Sequence, residues 1–341
     1  RSGGAVEDVR QHHRHDGRGD LGLAVVAVVL SNVFYSYGES LTAAFLPELA
    51  RPDAVGRVSG WGWSFGYLGG MLALGLCLAY VLSAQARGLP ATDFVPITMV
   101  ITASLYGVAS LATFTLLRER AVVQRAAPRA GGLFASLKGL AASWRRARAH
   151  VDFSWLLVCG AFYQAGISVV IALAAVYAEQ VLGFQQAQTM ALVFLVNIAA
   201  AVGAFAFGYG QDRIGHKPAL ALTLVGWIVM TLLAYVATDA ALFWVAAVIA
   251  GLCMGSSQSA GRALAGVLAP ASRRAEFYAL WTFATRLSAI VGPLTYGAVT
   301  WWTGGNHRLA ILSTALFFAV GLLFLVPLNI ARGMRQARDD A

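Results

Sequence analysis

Few side chains in this sequence can do chemistry away from water, and they stand far apart. Glu39 is the one acid well inside any apolar run, with Tyr35 and Tyr37 just upstream of it. Arg286 lies ten residues into a run that begins near residue 276. Arg262 lies toward the end of another run, after Ser256 and Gln258, and Tyr163, Gln164 and Asn197 interrupt two more. A lone arginine at the centre of a bilayer costs at least ~2.5–3.5 kcal/mol on insertion scales. Arg286 therefore anchors an anionic solute or forms a structural pair with a carbonyl or an acid. Glu39 is a proton carrier, because burial raises a carboxyl pKa, or the fixed partner of an arginine. Arg262, nearer a helix end, faces a cavity or snorkels to water. Gln164, Asn197 and Gln258 bind a solute or only join helix to helix, and Tyr163 is a further candidate for solute binding.

Other chemistries find little support. The six histidines (His12, His13, His15, His150, His216 and His307) all fall outside the interiors of the apolar runs. No imidazole base, intramembrane metal site or phosphate-cradling lysine loop is indicated. Neither an enzyme nor a cofactor is expected. Cys77, Cys159 and Cys253 sit inside apolar runs and read as small buried residues.

The elements that must hold these residues are membrane spans. The chain has 341 residues, of which 58% are hydrophobic and 12% charged, about half the ~25% of a soluble domain. Nine apolar runs, each long enough to cross about 30 Å of hydrocarbon, fall near 21–46, 57–84, 94–117, 153–178, 186–209, 218–237, 240–268, 276–302 and 307–330. The expected fold is an all-α membrane bundle of about nine helices. Residues 1–20 form a polar tail, expected to be disordered. Residues 21–117 carry three helices, 118–152 a basic linker, 153–332 six helices and 333–341 a charged tail. Pro47 ends the first helix, and Leu133–Trp144 is a candidate surface helix. Gly62, Gly66 and Gly70 recur every four residues and predict a smooth packing strip, with Trp61 and Trp63 as interfacial anchors.

The net charge of +9 does not point to nucleic acid, because the basic residues are spread over loops. Eight Lys or Arg against the single acid Glu119 lie in 118–150, whereas the loops on the opposite side hold only Arg87 and Arg308. The positive-inside rule places the long basic loop and the C-terminus in the cytoplasm. A bacterial cell membrane is the expected location, with the lipid bilayer and a small solute as partners.

One interruption between spans is distinctive: Gly208-Tyr-Gly-Gln-Asp212-Arg213-Ile-Gly215-His216-Lys217. It resembles the signature that joins the second and third helices of each half in the major facilitator superfamily, and here it follows the second helix of the six-span set. The stretches Gly56-Arg-Val-Ser59-Gly60-Trp-Gly62, Gly255-Ser-Ser-Gln258, Ala275-Glu276-Phe277-Tyr278 and Ile290-Val-Gly292-Pro293 resemble the vacuole-effluxer-like branch of that superfamily. The resemblance implies a twelve-helix parent of which this chain keeps the fourth to twelfth helices. It also implies a central solute cavity, which would take in Glu39, Gln164 and Gln258. Asp212 and Arg213 would belong to a latch on the outward-facing state. The implied function is secondary transport of a small solute, an amino acid or similar zwitterion, with a coupled proton. The alternative is a non-transporting membrane scaffold.

Overall fold

A computed structural model describes residues 4–51, 53–118 and 143–340, with side chains from residue 22 onward. Its regular elements are helical: α1 (Gly4–Ala44), α2 (Leu46–Leu49), α3 (Val55–Ala86), α4 (Ala91–Leu116), α5 (Val151–Leu182), α6 (Gln186–Ile214), α7 (His216–Val236), α8 (Ala240–Leu268), α9 (Arg274–Trp302), α10 (His307–Leu325) and α11 (Ile330–Asp339). A 3-10 turn, Ala271–Arg273, leads into α9. Eight helices among the described residues combine the length and apolarity of a membrane span. The ninth expected span is α9, whose 29 residues are long enough, although residues such as Arg286 make it more polar than the others.

Several boundaries differ from expectation. Residues expected as a disordered tail continue α1 back to Gly4. Their polar composition excludes a place in hydrocarbon, but Ala, Arg, Gln and Glu are good helix formers. At the other end of α1, Pro47 opens the short α2, where its missing N–H leaves no bond unmade. The candidate surface helix lies mostly outside the described residues; residues 143–149 are helical. The expected C-terminal tail is instead the docked helix α11.

Most of the buried core lies in α5–α10. Trp227 of α7 stacks on Phe318 of α10 with ring centroids 5.0 Å apart and planes 7° from parallel. Its indole donates to Ser257 Oγ at 3.3 Å, and Tyr177 donates to the Ala234 carbonyl at 2.7 Å. These two buried donors are thereby satisfied inside the bundle, as a low-dielectric medium requires. The first helices lie against this core. α1 packs on α9, α3 on α6 and α8, and α4 on α3. No residue of α4 is buried.

Close packing of α3 does not use the expected glycine strip. Gly66 and Gly70 face open space, and a side chain on Gly62 would meet only the Arg262 guanidinium. The helices approach instead at Gly56 and Gly60. A Cβ at Gly60 would be driven into the Ala204 carbonyl, and one at Gly208 would lie 3.3 Å from Gly60 Cα. Gly60 and Gly62 sit two positions apart, and the two strips lie on different faces of α3, roughly a quarter turn from one another.

Candidate functional site: a cavity between the helix sets and a latch at its closed end

A cavity of about 390 Å³ lies between α1, α3 and α4 on one side and α5, α8 and α9 on the other. Tyr35, Glu39, Gln164, Gln258 and Arg262 line it, as their positions inside spans suggested. Trp63, Tyr106, Ser110, Trp281 and Thr282 line it too.

Its charges are arranged unequally. Arg286 pairs with Glu39 and stands 5.4 Å over the Tyr35 ring. Of the alternatives open for Arg286, the structure forms the pair with an acid, 247 residues away in sequence. Arg262 makes no ion pair among the described residues. Its Nε donates to Ser59 Oγ at 3.2 Å and its Nη2 to the Ser59 carbonyl at 2.7 Å. The guanidinium carbon lies 5.6 Å from the Trp63 ring centroid. Trp63 Nε1 is buried without a hydrogen-bond partner. The cavity's one lining carboxylate, Glu39, is thus taken by Arg286, and an indole donor stands open beside Arg262.

Gln164 and Gln258 satisfy one another across α5 and α8. Gln164 Nε2 donates to Gln258 Oε1 at 2.8 Å, with the reverse bond at 3.3 Å. Three expected residues do not line the cavity: Arg286 meets it only through Glu39 and Tyr35, and two others fall elsewhere. Tyr163 is fully buried behind the cavity wall, with its hydroxyl unpartnered and its ring 6.5 Å from that of Trp281. Asn197 donates back to the Val193 carbonyl at 2.8 Å and lines a separate, largely apolar cavity of about 320 Å³. Sequence reasoning missed Trp63 because a tryptophan near a span end reads as an anchor. Its signal was the spacing to Tyr67, one turn on, whose ring lies 5.8 Å away.

The Gly208–Lys217 interruption lies at one end of this assembly, beside the start of α3 and the end of α10. It is almost entirely helical rather than a ten-residue turn: α6 runs through Ile214 and α7 starts at His216. The reversal is made at Gly215, whose φ of +92° favours glycine. Asp212, on the last turn of α6, accepts from the backbone N–H groups of Gly56 at 2.8 Å and Arg57 at 3.0 Å, and from Arg57 Nε at 3.1 Å. It thus acts as an N-cap supplied to α3 by another helix, with the helix dipole adding to the attraction. The arginine on Asp212 is Arg57. Arg213 is exposed and makes no ion pair among the described residues. Lys217 Nζ donates to the carbonyls of Val326 at 2.8 Å and Leu328 at 2.7 Å, beyond the end of α10. His216 Nδ1 is buried without a partner.

The same end holds α11. Asp152, fully buried, receives Arg332 Nε at 2.8 Å, Arg332 Nη2 at 2.7 Å and the Asn329 N–H at 2.7 Å. Arg146 pairs with Glu276 at 2.6 Å and His150 with Asp340 at 3.0 Å.

Residues 20–338 match the family model described as "Vacuole effluxer Atg22 like". The chain belongs to this Atg22-like vacuole-effluxer family. The family member is 24% identical over 314 residues to the uncharacterized MFS-type transporter YxiO of Bacillus subtilis, covering 91% of this chain and 71% of that protein. It is also 24% identical to autophagy-related protein 22-1 of Aspergillus fumigatus, over 82% of this chain and 49% of that one. The chain thus spans about half the length of that fungal relative. In fold it is similar to the major facilitator superfamily transporter FucP in its outward conformation, with a TM-score of 0.65 at 17% identity over 85% of this chain and 72% of that one. This Atg22-like chain is a multi-pass membrane protein with a major-facilitator fold.

Proposed function

We propose that the protein works in secondary transport, moving a small solute with an anionic group by alternating access between its two helix sets. The observation that carries this reading is Arg262: a guanidinium in the cavity wall, held by neutral acceptors alone. A cation in this setting favours an anionic ligand, because little water competes for it. The open Trp63 indole donor supplies a second contact for the same group. Amino acids fit this chemistry, with Glu39 and Arg286 near enough to sense the rest of the molecule.

The basic end, that of Asp212, is the cytoplasmic end in this reading, by the excess of Lys and Arg there. Asp212 then latches a state closed to the cytoplasm, and its release from α3 is part of opening. The Glu39–Arg286 pair is the candidate coupling device: a proton on Glu39 removes the charge that holds Arg286. Replacing Glu39 with Gln in the complete protein should leave transport insensitive to a pH gradient; persistence of that sensitivity would remove Glu39 from coupling. The wider test is a screen of anionic, zwitterionic and cationic solutes in proteoliposomes. Uptake confined to solutes with an acidic group supports the proposal. Exclusive uptake of cations counts against an anionic solute, and no uptake of any solute counts for a scaffold.

A further inference from the structure

A third cavity, of about 240 Å³, lies at the basic end, away from the solute cavity. Both helix sets build it. Pro47 and Val55 come from α2 and α3, Ala269 from the exit of α8, and Met334 from α11. Its charged lining residues are Arg274 at the start of α9 and Arg338 on α11, and no carboxylate lines it. The nearby acids Glu276 and Asp340 are engaged by Arg146 and His150. Arg274 makes no ion pair among the described residues, and its Nε is shielded from water without a hydrogen-bond partner. Arg274 itself is half-buried, and a guanidinium with a shielded, unpaired Nε in a cavity without carboxylates favours an acceptor from outside the protein.

We propose that this cavity seats the phosphate of an anionic phospholipid, with Arg274 and Arg338 on the phosphate and the apolar wall against the glycerol and first methylenes. Guanidinium forks match phosphate oxygens, and basic pockets between helices at headgroup level suit anionic lipids. Because the walls come from both sets, a bound lipid ties them together at this end and favours the closed arrangement. The inference adds a lipid to the transport reading and holds whichever solute is carried.

The test is thermal unfolding of the full chain in phosphatidylcholine nanodiscs with increasing phosphatidylglycerol. The expected result is a saturable rise of a few degrees. Arg338→Gln, an exposed position, should at least halve it, and the double variant with Arg274→Gln should abolish it. Arg335→Gln, also exposed on α11 but outside the cavity, should keep the full rise. An equal rise in the double variant, or no rise in the unsubstituted chain, would overturn the proposal. So would the same rise on adding inorganic phosphate, which would make the ligand a soluble anion.

Discussion

The end that carries Asp212 and Asp152 and the cavity between the helix sets use the same kinds of residue in opposite ways. At the first the acids are saturated: Asp212 accepts three hydrogen bonds and Asp152 another three. In the cavity, Arg262 faces neutral acceptors, and Trp63 Nε1 has no partner. Saturated polar groups hold a shape, because each would pay desolvation if its partner left. Unsaturated ones keep a place for a ligand.

The largest expected effect lies in the saturated region. Asp152→Ala leaves α11 without its carboxylate, removing three hydrogen bonds at once, and should loosen α11 more than any other single change. Denaturation of the full chain reads this, and limited proteolysis should cut first near α11. A variant as stable as the parent would mean that the pair is ornamental. Gly60→Val comes next, at about 2 kcal/mol, because its side chain is driven into α6 backbone. Asp212→Ala removes the cap on α3 and should cost about 1–2 kcal/mol. In that background a cysteine at the buried Ser59 should label faster from the basic side, and an unchanged rate would deny that Asp212 holds this end shut. Gly66→Ala is the smallest change: nothing stands within 4 Å, so stability should stay level or rise by about 0.5–1 kcal/mol through helix propensity. A destabilised Gly66→Ala would show that the open strip is packed after all.

Much of this architecture was legible in the sequence. Apolar runs of membrane length and the glycine- and charge-rich interruption at 208–217 are local signals. So were Glu39, Gln164, Gln258 and Arg262, since polar side chains in apolar runs face a cavity or a partner. Pairings were not legible. Asp212 meets Gly56 across 156 residues and Arg286 meets Glu39 across 247, distances over which no local pattern reports. The glycine strip shows the same limit. Spacing by four identifies a smooth face but not whether another helix covers it, and on α3 the covered face was Gly56–Gly60.

Arg262 is where the contrast between the two regions is decided. Uptake of the solute found by the screen should be compared in the complete protein carrying Arg262→Gln and in one carrying Ser59→Ala, which removes a hydroxyl acceptor but keeps the cation. The account predicts at least a tenfold loss, about 1.4 kcal/mol, for Arg262→Gln with insertion intact, and near-normal uptake for Ser59→Ala. Full transport by Arg262→Gln, or equal loss in both variants, would contradict it: the guanidinium would then be a strut between α3 and α8, like the saturated charges at the other end.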